Sequence, residues 1–276
     1  WVLVISVLNA VAMAKLTDRG RNREALVAGW WWLGFILLMG WLGFARMDGF
    51  TAPIVLIGLV YGVAHPFVAS LLLSLATWVK VWPAAVVLAL LSAARRRGAV
   101  LLAGVLATLV AVGVAAASGS LHKIADFATQ QGDRGMQLEA TFTTPWLWLS
   151  VLHIGDSHMY MNTDINSMQV DGPGSDVMSK LMQPLFLVAA VVVVALIVRG
   201  LRNGLRAGAL DRTALFLAGS LTMVTAFIVF NKVGSPQFMV WLGPVIAVGL
   251  VHDRRAWRTP ALLAVLIGIA TFFIYP

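Results

Sequence analysis

Within seven residues the stretch DRGMQLEATFTTPW gathers Asp133, Arg134, Gln137 and Glu139. A guanidinium fork beside amides and a carboxylate suits a phosphate or carboxylate ligand, because its parallel N–H donors engage two oxygens at once. Gln130, Arg134, Gln137 and Thr141 also recur at helical spacing, with Ile124, Ala128, Leu138 and Phe142 on the opposite face. This spacing predicts a short amphipathic helix lying at a membrane interface, weakened by Gly132 and Gly135. An interfacial loop with solvated charges accounts for the same residues.

Three further clusters carry polar chemistry. Lys80, in ATWVKVWP, is the only Lys, Arg, Asp or Glu between Asp48 and Arg95. At mid-span such a charge costs about 2.5–3.5 kcal/mol. Fourteen helical residues starting at Pro66 rise roughly 21 Å and carry Lys80 to an interface, where Trp78 and Trp82 flank it like an aromatic belt. It reads either as a snorkelling anchor or as an ammonium beside a lipid-linked phosphate, with the break at Pro83 making room. In NKVGSPQF, a turn and a capped helix start explain Gly234, Ser235 and Pro236. They do not explain Lys232 and Gln237, whose donors suit a sugar or a phosphate. FARMDGF places Arg46 and Asp48 in a tight turn, where a local ion pair or an Asx-turn is expected. His153, Asp156 and His158 in HIGDSH match no strong zinc spacing, so no metal site is expected. Phosphate-cradling glycine loops and a Ser-His-Asp arrangement are absent from the sequence.

The elements that must position these side chains follow from composition. Of 276 residues, 60% are hydrophobic and 12% charged, about half the charged share of a soluble domain. The class is an all-α polytopic membrane protein. Its net charge of +8 reads as inner loops facing anionic lipid rather than as a nucleic-acid surface. The absence of cysteine rules out disulfides and thiolate metal sites.

Ten apolar runs are expected as spans: 1–16, 26–45, 51–64, 66–79, 83–94, 99–117, 181–198, 214–230, 236–251 and 260–274. Several are short, and Pro66 and Pro83 predict broken helices, a pattern tolerated where backbone lines protein or a watery cavity. With ten crossings, the basic clusters at 15–23, 95–97, 199–212 and 254–258 share one face. That puts fourteen of the twenty Lys and Arg inside, and eight of the twelve Asp and Glu outside. Residues 118–180 then form an extracytoplasmic loop region of a single transmembrane domain, residues 1–276, in the plasma membrane. Its latter part, MNTDINSMQVDGPGSDV, is polar and bears Gly and Pro, which predicts a mobile loop.

RMDGFTAPIVLIGL, ATWVKVWPAAVVLALLSAARRR, DRGMQLEATFTTPW and NKVGSPQFMVWLGP, in this order and on one face, resemble motifs of glycosyltransferase family 87 (the DUF2029 group). These are actinobacterial polyprenyl-phosphate-dependent enzymes of the GT-C fold. The resemblance implies a GT-C-like bundle that moves mannose or arabinofuranose from a polyprenyl-phosphate donor to a cell-envelope glycolipid or glycan at the outer face. No metal and no further cofactor are implied. Lys80, Arg134, Gln137, Glu139, Lys232 and Gln237 match motif positions and carry an implied substrate-binding role. The family's catalytic Asp lies in the first outer loop, which places the expected base upstream of Trp1, with Asp48 and Glu139 as candidates within the chain. The chain alone is accordingly expected to insert in a membrane and transfer no sugar. A transporter or lipid flippase, or a non-catalytic membrane scaffold, are the competing classes. Against a transporter, the polar groups gather at one face and no internal repeat is visible.

Overall fold

The structure, a computed structural model, describes residues 1–124, 135–163 and 165–275. Helices dominate: α1 (Val2–Leu16), α2 (Arg23–Leu38), α3 (Trp41–Ala45), α4 (Met47–Tyr61), α5 (Pro66–Val79), α6 (Pro83–Ala93) and α7 (Arg97–Ala117) run in succession. After strand β1 (Met136–Gln137) come α8 (Thr144–Val151), strands β2 (His158–Asn162) and β3 (Ser167–Asp171), then α9 (Ser175–Ala207), α10 (Arg212–Val229), α11 (Leu242–His252) and α12 (Arg254–Ile274). Among the described residues four helices, α7, α9, α10 and α12, are long and apolar enough to cross a membrane. Leu101, Leu102 and Val105 on α7, Leu187 and Val188 on α9, and Leu262 and Phe273 on α12 stand exposed. Apolar faces of this extent fit contact with lipid. The chain is that of a mainly helical membrane protein. Helices α1, α4, α5 and α6 are apolar but shorter, with 15, 15, 14 and 11 residues, against the ~20 needed for a straight crossing.

Two compact units are present. One comprises Trp1–Ala111, Val192–Val224 and Pro236–Pro276. Its core holds Trp32, Phe35, Trp82, Phe216 and Trp241, all essentially inaccessible to solvent. Here α4 packs on α1 and α5, and α11 packs on α2, α4 and α12. A buried polar bridge joins α1 to α2: Trp32 Nε1 donates to Asn9 Oδ1 at 2.9 Å, and Asn9 donates to the Ile5 carbonyl. The apolar run 26–45 is not one helix. Gly40 takes φ +52° between α2 and α3, a conformation that glycine reaches without a Cβ penalty. At the other end of the chain, α12 begins six residues before the run expected from Pro260. The Asp253 carboxylate accepts from the amides of Arg255 and Ala256, capping the helix at a point hydropathy does not mark.

The other unit comprises Val112–Val191 and Thr225–Ser235. It contains a three-stranded antiparallel sheet in the order β1-β3-β2, with Met136 opposite Val170 and Tyr160 opposite Gln169. Met136, Ala140 and Met182 form its small core, against which Phe142, Trp146 and Met178 pack.

The sheet corrects two expectations. Residues 136–137 form a strand, and a 3-10 turn covers Thr141–Thr143, so the amphipathic helix through Gln137 and Thr141 does not form there. Its earlier residues, Gln130 and Arg134 included, lie outside the described residues. The cause is pairing: the Leu138 amide donates to the Met168 carbonyl, and the Gln137 amide to the Lys232 carbonyl, at 3.0 and 2.9 Å. The segment expected to be a mobile loop, residues 161–177, instead supplies the end of β2 and all of β3. Alternating Met and polar residues, MYMN and SMQV, give the period-two pattern of strands.

Candidate functional site

In the first unit the chain breaks between short helices bring Asp48 and Lys80 together. Asp48 opens α4, and Lys80 ends α5 in extended backbone two residues before Trp82 and Pro83 open α6. The Lys80 Nζ lies 3.7 Å from Asp48 Oδ2. Asp48 is completely buried, whereas 32% of the Lys80 side chain is accessible. The other carboxylate oxygen, Oδ1, accepts the indole N–H of Trp241 at 2.6 Å. Oδ2 accepts no hydrogen bond among the described residues, so its compensation is the ammonium.

An aromatic wall encloses this pair. The Trp82 and Trp241 rings stack with centroids 5.5 Å apart, and Phe238 stacks on Trp241 at 4.1 Å. Lys80 Nζ sits 5.8 Å from the Phe238 ring centroid, a distance at which the ring quadrupole attracts a cation. Trp82 Nε1 donates to Thr51 Oγ1, and Thr51 donates on to the Asp48 carbonyl. The two indole N–H groups of this wall thus both have an acceptor on α4. Gln237, beside Phe238 in the 3-10 turn Pro236–Trp241, is half-buried.

These contacts correct three readings. Arg46 is exposed, and Asp48 makes neither a local ion pair with it nor a simple turn. Its carboxylate points into the core because α4 begins immediately, with Asp48 in its first turn. Trp82 is fully buried rather than part of an interfacial belt, while Trp78 is exposed as expected. Lys80 is not a free snorkelling anchor, since Asp48 holds it.

An apolar groove of about 480 Å³ runs between α5, α6 and α7, with Trp78, Leu88, Leu91, Val105 and Leu109 among its walls. Two hydrogen bonds fasten α5 to α7 in parallel: Ser70 Oγ to the Val100 carbonyl at 2.8 Å, and Trp78 Nε1 to Thr108 Oγ1 at 3.3 Å. The bonded positions are eight residues apart on each helix, so the groove between them runs for roughly 12 Å. Its Trp78 end adjoins Lys80 in the sequence.

The second unit assembles a different subset. Gln137 in β1 donates its amide to the carbonyl of Lys232, and its own carbonyl accepts Thr143 Oγ1 at 2.9 Å. Half-buried Glu139 lies in the turn after β1, and Gly234 presses against the backbone of Glu139 and Ala140 so closely that a Cβ would overlap it. Glycine at 234 is therefore required by close approach rather than by the turn alone. Gln137, Glu139 and Lys232 are neighbours here, whereas Arg134 lies outside the described residues. Nearby, Tyr160 donates to Gln169 Oε1 at 2.7 Å, and burial together with Asp171 and Asp176 raises its phenol above the ordinary value. The Asp171 carboxyl is held below its ordinary value by the Ser175 hydroxyl at 2.6 Å and by the Gly172 amide at 2.8 Å. His153, Asp156 and His158 are exposed; His158 Nδ1 lies 3.1 Å from the Asp156 carbonyl oxygen. Among the described residues no three His, Asp or Glu side chains gather as metal ligands.

Sequence reasoning missed Trp241, Thr51 and Phe238. The available signal was the pair Phe238 and Trp241, three residues apart just after the Lys232–Gln237 stretch, which a turn of three residues stacks on one side. Comparison with known proteins adds no relative: no family model, curated protein or solved structure matches the chain.

Proposed function

We propose that this chain belongs to a multi-pass membrane glycosyltransferase that takes a sugar, mannose or arabinofuranose, from a polyprenyl-phosphate donor. The acceptor is a glycolipid or glycan at the outer face of the plasma membrane. One juxtaposition carries the reading: a partly open ammonium, oriented by a buried carboxylate, two residues beyond the end of an apolar groove. A polyprenyl phosphate pairs the same two features, an apolar chain and an anionic head. The sequence resemblance to family 87 supports the reading independently.

In this scheme Lys80 holds the donor phosphate and offsets the charge that develops as the sugar departs. An ammonium has three donors, so it can keep Asp48 while meeting phosphate oxygens. Asp48 is a positioning residue for Lys80, since its complete burial keeps it from an acceptor hydroxyl. Gln237 binds the donor beside Lys80. By the resemblance, Arg134, Gln137, Glu139 and Lys232 are further residues that bind phosphate or sugar hydroxyls.

The test uses membranes from cells expressing the protein, supplied with radiolabelled polyprenyl-phosphate mannose or arabinofuranose. Label should pass to a lipid or glycan acceptor, and Lys80→Ala should reduce that transfer at equal membrane levels. Movement of label across the membrane without a glycosidic product would refute the transferase reading in favour of a carrier.

A further inference from the structure

At the opposite end of α6 from Lys80 the first unit contains a second cavity, of about 430 Å³. Arg95 and Arg97 line it from the junction after α6, Arg202 from α9 and Arg212 from the start of α10, against apolar walls that include Leu201 and Leu205. Two of these guanidiniums are fixed by the end of α6. Arg212 Nη1 donates to the Ala93 carbonyl at 2.8 Å, and Arg97 Nη2 to the Ser92 carbonyl at 3.2 Å. Each bond uses one of five N–H donors and leaves the others for a ligand.

No countercharge accompanies them. Among the described residues the ion pairs are Lys80–Asp48 and His252–Asp211, so none of the four arginines has a carboxylate within 4 Å. Asp211, next to Arg212 in sequence, is engaged by the His252 ring at 3.0 Å and the Ala214 amide at 2.8 Å. Four like charges around one cavity repel one another unless an anion enters. Planar guanidiniums match the tetrahedral oxygens of phosphate, each able to donate two parallel bonds.

The position narrows the source of that phosphate. Leu101 and Leu102 on α7 follow Arg97 by a single helical turn and are exposed, as is Leu196 on α9, six residues before Arg202. The arginines therefore stand where the apolar helix faces stop, at the depth of lipid headgroups.

We propose that this arginine-lined cavity is a binding site for a phosphate-bearing anion, supplied in the membrane by the headgroup of an acidic phospholipid. The site is separate from the Lys80 site and does not depend on the transferase reading.

The experiment measures retention of phosphatidylglycerol by the purified chain, by native mass spectrometry and by thermal shift. Phosphatidylcholine serves as the neutral comparison, and inorganic pyrophosphate in neutral detergent as the free-anion arm. Arg95→Gln with Arg202→Gln removes two cavity guanidiniums that carry no structural hydrogen bond. Arg254→Gln with Arg255→Gln makes the same change in net charge on exposed residues outside the cavity. The cavity pair should weaken phosphatidylglycerol binding by on the order of a hundredfold, about tenfold for each lost charge-assisted contact. The outside pair should leave it within about threefold of the unmodified chain by the usual small effect of remote surface changes. Loss of pyrophosphate binding alone in the cavity pair would keep the site and assign it to a soluble anion. Equal losses from both pairs would reduce the effect to surface charge and overturn the proposal, as would unchanged binding by the cavity pair.

Discussion

Removing Lys80 separates its structural role from its proposed role toward phosphate. In Lys80→Met the Asp48 carboxylate stays fully buried with only the Trp241 N–H to compensate it. Breaking a buried pair from one side costs about 3–5 kcal/mol. Because 32% of the Lys80 side chain is exposed and water already reaches the ammonium, the low end applies, about 3 kcal/mol. At ~2–4 °C per kcal/mol for a chain of this size, the unfolding midpoint in detergent should fall by roughly 6–12 °C. Asp48→Asn leaves an ammonium that water can solvate, and should cost about 1 kcal/mol. The double variant removes both charges and should cost only about 1 kcal/mol, recovering most of the loss and giving a coupling energy of about 3 kcal/mol in a double-mutant cycle. Transfer should behave differently. A lost charge-assisted contact of about 1.5–3 kcal/mol lowers donor use roughly 10- to 150-fold, and the double variant should not regain it although its stability returns. A coupling energy below about 0.5 kcal/mol, the range expected of independent sites, would refute the pair as an energetic unit. Recovery of full transfer in the double variant would refute the phosphate role and leave Lys80 a purely structural cation.

Three further outcomes are expected. Cysteines introduced singly at exposed Thr163 and Asn203, in a chain with none of its own, should label from opposite faces of intact cells, Thr163 from outside; labelling of both from one side overturns the proposed sidedness. Gly234→Ala should destabilise the second unit by about 1–3 kcal/mol through overpacking against Glu139 and Ala140, seen as faster proteolysis of residues 136–171, and unchanged proteolysis would show the contact to be dispensable. Because the folded Asp171 carboxyl titrates below its ordinary value, its contribution is present above that ordinary value and lost as pH falls through the lower folded one. Ser175→Ala should therefore move the acid-induced loss of hydrogen-exchange protection around 167–175 to higher pH, and an unmoved profile would count against the Ser175 hydroxyl as its cause.

Composition alone determined that this is a membrane protein built mainly of helices, because apolar content at this level has no soluble burial. Pro66 and Pro83 likewise marked where two short helices start, opening α5 and α6, since the missing donor and fixed φ of proline suit a first helical turn. Lys80 stood out because a cation in so apolar a stretch needs a reason. Its reason was not readable from the sequence. Asp48 lies thirty-two positions before Lys80 and Trp241 far beyond it, and only the packing of α4 against α5 and α11 closes Asp48, Lys80 and Trp241 into one cluster. Periodicity also misled at Gln137. Spacing of three and four fits a helix locally, but the backbone there satisfies its donors across to Met168 and Lys232, partners 30 and 95 positions away that no local pattern encodes. Hydrophobicity acts residue by residue and is written along the chain. A buried charge or a strand edge is compensated through space, so tertiary structure alone decided which polar residues became partners.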